Sequence, residues 1–488
     1  MRGALDRRYS LMLRLRSAAA AIVVSNTLVL TGGWGSASAS SLAAKSAAPV
    51  SRAAAEADCR RLTAAACYAP RQFRVAYGIQ QLLAHGTDGR GETVVLQEFA
   101  RKPGPDPESN VPVTDIRQDL ALFDAVFGLP GTRLRVDTSL AASASPWWAT
   151  GEEVEDTEIV HAVAPDATIR VVLIPRQPSP ASALAATDAV LRLALSQSAV
   201  VSIGAGADER CYTAGEVASL NSALQAADDH HVTVVSDSGD LGAAIATCSG
   251  AGRPVKGVGL YAAEPLALSA GGTSLDANRA TGAYVNETAW RTTTAGPVAT
   301  RAPSPAGPSS SPASRAQGPL SSPAPRAAAP ASVITEASGG GFSRVFSRPP
   351  YQDGVVRAGA GRGVPDVAAD ADPATGMTLA VNEGAGRFVF FSASGTSAAG
   401  PFWAGLIALA DQYAGRHLGF VNAAIYRIGR SASYHRAFHD ITTGNNTVTF
   451  PHETITGYQA SPGWDPVTGW GTPEAQTLVP LLARDISP

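Results

Sequence analysis

Ser397 lies in the stretch SASGTSAAGP, residues 392–401, between the apolar runs 388–391 and 402–410. This pattern predicts a strand, a tight turn and a buried helix, with Ser397 near the start of the helix. A serine hydroxyl in such a turn can act as a nucleophile if a neighbouring base removes its proton. The alternative is a helix that simply begins with good capping side chains.

A pair of acids is the first candidate for that base. The stretch GEEVEDTEIVHAVAP, residues 151–165, contains Glu152 and Asp156, and this spacing places both side chains on one face of a helix. Acids at 152, 153, 155, 156 and 158 repel one another, and such crowding raises the pKa of some of them. A carboxyl group of this kind can act as a general base or share a proton. The alternative is an acidic, solvated helix start.

A further acid, Asp240, belongs to the stretch SDSGDLGA, residues 236–243. It falls just after an apolar strand pattern, and functional side chains collect at the carboxyl ends of parallel strands. The alternative is an aspartate that only forms a turn beside Gly239 and Gly242.

Histidine offers another base. His85-Gly-Thr87 and Asp237-Ser-Gly239 resemble the histidine and aspartate motifs of subtilisin-type peptidases. Those chains run in the order Asp, His, Ser, whereas here the histidine precedes the aspartate and is followed by a strand. The order favours a carboxylate base, and a His-dependent peptidase stays as an alternative. His435 and His439 have helical spacing, but no nearby partner completes a zinc pattern.

The elements that must position these residues alternate between strands and helices. The 488-residue chain is 45% hydrophobic, which supports a sizeable core. Helices are expected at 182–196 and 216–229, and strands at 93–99, 167–175, 198–204 and 231–240. This alternation predicts an α/β fold, a mostly parallel central sheet with helices on both faces, in a single domain.

The N-terminus has the pattern of a secretory signal peptide over residues 1–39. Arginines precede an apolar stretch at 18–30, and Ala37-Ser-Ala39 fits a cleavage site. The alternatives are a membrane anchor or a disordered tail, and Arg7-Arg8 leaves twin-arginine export open. A disordered leader is expected at 40–57, followed by one globular domain at 58–488. We expect the protein to be secreted, without stable membrane association.

Two features of the composition bear on the class of binding partner and on the organisation of the domain. A net charge of −3 without a basic patch argues against nucleic acid as a partner. Residues 292–332 are almost entirely Ala, Pro, Ser, Thr, Gly and Arg, which predicts a solvated insertion within the domain.

Four cysteines in an exported chain predict two disulfides. Three connectivities are possible, and we favour the local pairs Cys59–Cys67 and Cys211–Cys248.

Taken in order, these stretches resemble the sedolisin family of serine-carboxyl peptidases, and most of all its kumamolisin-like members. The resemblance extends from Cys67 to the C-terminus, and no single motif decides it. Besides the three stretches above, the matching segments are CYAPRQFRVAYGI (67–79), GGGFSRVFSRPPYQ (339–352), RGVPDVAADADP (362–373), FHDITTGNN (438–446) and SPGWDPVTGWGTP (461–473).

The resemblance implies a subtilisin-like fold and a catalytic role for each candidate. Ser397 would be the nucleophile, Glu152 the general base, and Asp156 the residue that orients Glu152 and shares its protons. Asp240 would donate a hydrogen bond to the developing oxyanion, which requires the protonated acid. These roles imply a secreted, monomeric endopeptidase that acts on proteins or peptides at acidic pH.

The resemblance also implies one bound Ca²⁺ near the C-terminus. The carboxylates of Asp440 and Asp465 and the backbone carbonyls of Ile441, Ser461 and Gly463 would form an oxygen shell, which suits calcium. The family residue at 461 is usually glycine, but a carbonyl ligand tolerates serine.

Two departures from the family pattern support a second hypothesis. Ala205 stands where a tryptophan is usual, and in kumamolisin-like members that tryptophan supports an accessory glutamate, here Glu98. Family precursors also carry a long folded propeptide, which we expect to be missing because only residues 40–66 precede the catalytic block. The second hypothesis is a secreted binding protein that keeps the fold with little or no catalysis.

Overall fold

The computed structural model describes residues 50–63, 65–102, 113–177, 179–196, 200–249, 253–296, 332–357, 360–451 and 453–486. The predicted signal peptide, the leader up to residue 49 and residues 297–331 of the predicted insertion lie outside these described residues.

Helices cover both faces of a central sheet. They are α1 (Arg52–Thr63), α2 (Pro70–Ala76), α3 (Ile79–Ala84), α4 (Ile116–Phe127), α5 (Gly151–Val163), α6 (Pro180–Leu195), α7 (Ala214–Asp229), α8 (Leu260–Ala263), α9 (Thr396–Ala414), α10 (Asn422–Gly429), α11 (Tyr434–Ala437) and α12 (Ala475–Asp485), with 3₁₀ turns at Glu209–Cys211 and Pro350–Gln352. Within the described ranges, none of these helices is both long and apolar enough to span a bilayer.

The strands of the central sheet are β1 (Thr93–Phe99), β3 (Arg133–Asp137), β5 (Thr168–Ile174), β6 (Val200–Ile203), β7 (Thr233–Asp237), β10 (Leu268–Ala277), β11 (Tyr284–Ala289) and β16 (Val367–Asp370). The others form two-stranded pairs: β2 (Thr114–Asp115) with β4 (Trp148–Ala149), β8 (Ala244–Ile245) with β9 (Val255–Lys256), β12 (Arg291–Gly296) with β13 (Ser332–Ala337), β14 (Gly341–Ser347) with β15 (Gly361–Val364), β17 (Thr378–Gly384) with β18 (Arg387–Ser392), β19 (Phe438–His439) with β22 (Thr472–Pro473), and β20 (Val448–Phe450) with β21 (Glu453–Ile455).

The central sheet confirms the predicted α/β fold. Its order is β11-β10-β7-β6-β1-β5-β3, and β16 also pairs with β10. All these pairings are parallel except that of β11, which runs antiparallel to β10. The four predicted strands correspond to β1, β5, β6 and β7, and the two predicted helices to α6 and α7.

The alternation of side chains along β1 shows why both faces of the sheet are covered. Val94 and Leu96 join the buried cluster that includes α9, whereas Val95 joins the cluster that includes α6 and α7. Successive residues of a strand point to opposite faces, so a strand that is apolar at every position needs helices on both sides.

Helix α9 runs through the core. Every residue from Thr396 to Asp411 is buried except Ser397. The helix begins at Thr396, so Pro401 lies in its second turn. Gly395, with a φ of 85°, turns the chain before the apolar run starts. Proline has no N–H, so the helix lacks the bond that residue 401 would otherwise donate to the Ser397 carbonyl.

The expectation of a disordered leader up to residue 57 also needs correction, because α1 already begins at Arg52. Arg52 pairs with Glu56 one turn later at 3.2 Å, and the side chains of Ala55 and Cys59 are fully buried. Alanine-rich sequence, a spaced ion pair and an anchored cysteine together favour this helix.

Both preferred disulfides are present, Cys59–Cys67 and Cys211–Cys248. The strands that flank residues 297–331 pair with each other, from Arg291 opposite Ala337 to Gly296 opposite Ser332. Gly296 and Ser332, the described residues on either side of this segment, therefore lie opposite each other.

Two buried acids attach the helices to β17. Asn382 donates its backbone N–H to Asp119 of α4 at 2.6 Å, and Ala380 donates to Glu158 of α5 at 2.9 Å. Both acids are fully buried. Burial raises the pKa of Asp119 to about 7 and that of Glu158 well above its usual range. Both groups therefore favour the protonated form in the folded protein.

We expect the free energy of unfolding to fall as pH rises from 5 to 8. Asp119 keeps its proton up to about pH 7 when folded but loses it near 3.8 when unfolded, so its contribution is present below 3.8 and lost through pH 7. Asp119→Asn removes this titration and should reduce the pH 5 to pH 8 difference by about 1–3 kcal/mol in urea unfolding. The exposed Asp276→Asn is the control. An unchanged difference in Asp119→Asn would contradict the assignment.

Candidate active site

Ser397 is the second residue of α9, at the junction predicted from the sequence. Strand β18 ends at Ser392, the chain turns at Gly395, and the N–H of Gly395 donates to the carbonyl of Ala371 at 2.7 Å. Ser397 is partly exposed between buried neighbours. The fold thus holds the Ser397 backbone rigidly and leaves its side chain accessible, as a nucleophile requires.

Asp240 lies directly against the first turn of α9. Thr396 donates both its backbone N–H and its hydroxyl to Asp240 Oδ1, at 2.8 and 2.9 Å. The same hydroxyl accepts the N–H of Gly239 at 2.9 Å. The carboxyl group therefore satisfies one of the first N–H groups of the helix, which lack helical partners. Its side chain is held one residue away from Ser397.

The acidic side chains of α5 have different hydrogen-bond partners and therefore different roles. Glu153 accepts the N–H of Thr150 at 2.7 Å and pairs with Arg101 at 2.6 Å, which makes it a helix cap. Glu155 accepts the N–H of Ser394 at 3.1 Å, in the turn just before α9. Residues three and four apart share a helix face, so the face that carries Glu152 and Glu155 lies against this turn.

Asp156 forms a buried carboxyl pair with Glu98 of β1. The two groups contact each other, yet no hydrogen-bond donor among the described residues reaches Glu98 Oε1 or Asp156 Oδ1. Burial raises the pKa of both groups well above the usual range, and the charges of Glu153 on Glu98 and of Glu98 on Asp156 raise them further. One shared proton would satisfy both oxygens.

The pair also contacts Glu152 electrostatically, since the charge of Glu152 raises the pKa of Asp156. Glu152 is partly exposed at the start of α5. Burial favours the protonated form of Asp156, and the exposed Glu152 is the member of the group that a substrate or a serine hydroxyl can reach. The arrangement can therefore supply a base at Glu152 and a proton reserve at Asp156.

Glu98 contacts Asp156 even though residue 205 is alanine where the family usually has tryptophan. Ala205 follows β6 and packs against the buried cluster that contains Val258. The contact between Glu98 and Asp156 therefore forms without an aromatic ring at position 205.

The histidine motif lies at the far end of α9. His85 contacts the Gln81 carbonyl at 2.7 Å, and Gln412 donates to the neighbouring Gly86 carbonyl at 3.0 Å. Gln412 follows Ser397 by fifteen residues of helix, about 22 Å. This separation gives no support to a triad through His85.

The pair of histidines with helical spacing, His435 and His439, also gives no support to a metal site. His439 stacks on Tyr284 at 3.7 Å, and burial lowers its pKa to about 4. Within the described part of the chain, neither His435 nor His439 belongs to a group of three metal-ligating side chains.

The predicted calcium ligands lie together beside Tyr434, whose pKa is raised by burial and by the charges of Asp440 and Asp465. Gly463 donates its N–H to Asp440 at 3.1 Å, and Ser461 donates to Asp465 at 3.0 Å. Burial raises the pKa of Asp465 to about 6. Asp440 and Asp465 therefore lie on two neighbouring segments of the chain, and carboxylate oxygens of this kind suit a hard cation.

Two residues of this site were not identified from the sequence. Thr396 positions Asp240, and Glu155 attaches α5 to the turn that precedes Ser397. A threonine at a helix start is a recognisable capping signal, but its long-range partner is not visible in the sequence.

Comparisons with known proteins find sequence relatives of this chain. Kumamolisin from Bacillus sp. (strain MN-32) is 30% identical over 449 residues, 89% of this chain and 67% of kumamolisin. Tripeptidyl-peptidase 1 from Homo sapiens is 34% identical over 170 residues, 31% of this chain and 28% of that protein. No family model matches the chain.

The solved structure of Pseudomonas sedolisin (serine-carboxyl proteinase) complexed with two molecules of pseudo-iodotyrostatin shares the fold. Its TM-score is 0.62 at 24% identity, covering 85% of this chain and 98% of that one.

We expect Thr396→Val to destabilise the protein by about 1–2 kcal/mol in urea unfolding. The substitution keeps the shape of the side chain but removes the hydroxyl that joins Gly239 and Asp240, which leaves polar groups without a partner. Thr454→Val, at an exposed position of β21, is the matched control and should change stability little. Equal effects of the two substitutions would contradict the structural role of Thr396.

Proposed function

This chain belongs to the sedolisin family of serine-type peptidases, and from this premise we propose that it cleaves peptide bonds through an acyl-enzyme on Ser397. The substrates would be proteins or peptides. The observation that carries the proposal is the pair of contacts at the start of α9, Glu155 with Ser394 and Asp240 with Thr396. These contacts bring an acid of α5 and an acid of the loop after β7 to the segment that leads into the serine.

Glu152 would act first as the general base. It would take the hydroxyl proton of Ser397 as the serine oxygen attacks the substrate carbonyl, and then pass that proton to the leaving amine. In the second half of the reaction, Glu152 would take a proton from the attacking water and return it to the oxygen of Ser397 as the bond between that oxygen and the acyl carbon breaks. Asp156 would orient Glu152 and share protons with it, and the burial of Asp156 against Glu98 would favour keeping a proton on this pair.

Asp240 would stabilise the oxyanion of the tetrahedral intermediate. Its Oδ1 already accepts two hydrogen bonds from Thr396, so we assign the donated proton to Oδ2. Only the protonated acid can donate, and an ionised one would repel the oxyanion. The N-terminus of α9 adds a favourable dipole for negative charge. This role requires acidic working conditions.

We also propose that the protein is a secreted endopeptidase. Both disulfides require an oxidising compartment, which agrees with export. The signal sequence predicted at residues 1–39 lies outside the described residues, so this part of the proposal rests on the sequence pattern.

One Ca²⁺ ion would be held by the carboxylates of Asp440 and Asp465 and by the carbonyls of Ile441, Ser461 and Gly463. When bound, the ion would supply positive charge to a buried carboxylate and cross-link the segments 438–441 and 461–465. We assign it no step in the reaction.

The test of this function is a pH–rate profile on a mixed peptide library, with product masses. We expect turnover at pH 4 to exceed that at pH 7, because Asp240 must be protonated. Ser397→Ala and Glu152→Gln should each lower kcat/KM at pH 4 by about 10³-fold or more, as expected when a nucleophile or its base is lost.

The matched controls are Ser222→Ala on α7 and Glu453→Gln on β21, which should keep wild-type kcat/KM. Full activity in Glu152→Gln would reject the carboxylate base. A folded wild-type protein without turnover at any pH would instead favour the binding-protein hypothesis.

We expect Ca²⁺ to raise the melting temperature by a few degrees, measured against protein treated with EGTA. A ligand at 100 times its Kd stabilises the folded state by about 2.7 kcal/mol. Asp465→Asn should abolish this shift, since it removes a buried carboxylate ligand. Asp276→Asn should retain it. A melting temperature that does not respond to Ca²⁺ in the wild-type protein would reject the site.

A further inference from the structure

Three side chains converge at the C-terminal end of α9, opposite the end that carries Ser397. Asp411 belongs to the last turns of the helix, His417 follows the helix, and Glu92 precedes β1. His417 Nδ1 lies 3.3 Å from Glu92 Oε2 and 3.7 Å from Asp411 Oδ2. In the part of the chain that the structure describes, this is the one group of three such side chains whose ligand atoms all lie within 4.8 Å of one another.

One ring nitrogen of the cluster, His417 Nδ1, is shielded from solvent although 33% of the His417 side chain is exposed. Asp411 is 2% exposed, and its Oδ1 accepts the N–H of Leu418 at 2.9 Å. Its other oxygen, Oδ2, is the one that faces the imidazole ring. The shielded nitrogen therefore faces two carboxylate oxygens at ion-pair distance, and neither contact meets the geometry of a well-aligned hydrogen bond.

We propose that Glu92, Asp411 and His417 bind a first-row divalent cation of the Zn²⁺ type. Zinc takes imidazole nitrogen and carboxylate oxygen ligands at about 2.0–2.2 Å, which places neighbouring ligands about 3.4 Å apart in a tetrahedron. The separations of 3.3 and 3.7 Å fit this shape. Two carboxylates balance the charge of the ion, and water would take the fourth position.

The imidazole distinguishes this site from the proposed calcium site. Calcium prefers a shell of six to eight oxygens, whereas the borderline-soft zinc ion accepts nitrogen readily. The two sites should therefore select different ions when both are offered.

The backbone around the cluster is held in place without a metal. Gln412 accepts the N–H groups of Asp88 and Gly89 at 2.7 and 2.6 Å, which ties α9 to the loop before Glu92. The N–H of Glu92 donates to the Gly89 carbonyl at 3.0 Å, and Gly415 ends the helix with a φ of 64°. Ligands on such a fixed frame lose little entropy when an ion binds.

Binding should be measured by calorimetric titration of Zn²⁺ into the full chain at pH 7.5, with Ca²⁺ present in excess. We expect one saturable site in the wild-type protein. His417→Gln and Glu92→Gln should each weaken it at least tenfold, because each removes one of three ligands. His435→Gln, which removes an exposed histidine elsewhere, should leave the affinity unchanged.

Co²⁺ provides a second readout, since a tetrahedral site with nitrogen and oxygen ligands gives a visible absorption band that His417→Gln should abolish. The melting temperature of each metal-free variant checks its fold, and if His417→Gln does not fold, Glu92→Gln decides the result. A wild-type protein without stoichiometric Zn²⁺ binding, or equal affinity in the wild-type protein and the folded ligand variants, would overturn the proposal.

Discussion

The close approach of α5 and α9 at Gly405 is the constraint on which the site depends. A Cβ atom added at Gly405 would lie 3.0 Å from Cβ of Val163, so a larger residue would force the helices apart. Helix α9 is buried almost throughout, so it cannot shift to make room. The acidic face of α5 therefore stays against the turn before Ser397, where Glu155 accepts the N–H of Ser394.

Burial of carboxyl groups links the stability of this fold to the proposed chemistry. Glu98, Asp156, Asp119 and Glu158 are all held where burial favours the protonated form. Ionising a buried acid costs free energy unless a positive charge or hydrogen-bond donors compensate it. Acidic conditions keep these groups neutral, and in the proposed mechanism they would also protonate Asp240, as an oxyanion donor requires. The same pH range would thus stabilise the fold and suit the proposed mechanism.

Much of this arrangement was predictable because it depends on local patterns. Apolar runs of strand length predicted the parallel strands, and chain proximity predicted the disulfide pairs. The bonds of Thr396 to Asp240 were not predictable, because they join the start of α9 to a loop 156 residues earlier in the chain. The cluster of Glu92, Asp411 and His417 was also missed, since more than three hundred residues separate Glu92 from the other two.

The two ends of α9 suit opposite charges for the same physical reason. The N-terminus of a helix carries partial positive charge, which favours the oxyanion that would form beside Ser397. The C-terminus carries partial negative charge, which favours a cation near Asp411 and His417. This effect fades within the last turn, and about 21 Å of helix separates Ser397 from Asp411. A metal at the distal end would therefore act on the catalytic end by holding the helix in place, because its charge is too remote to act directly.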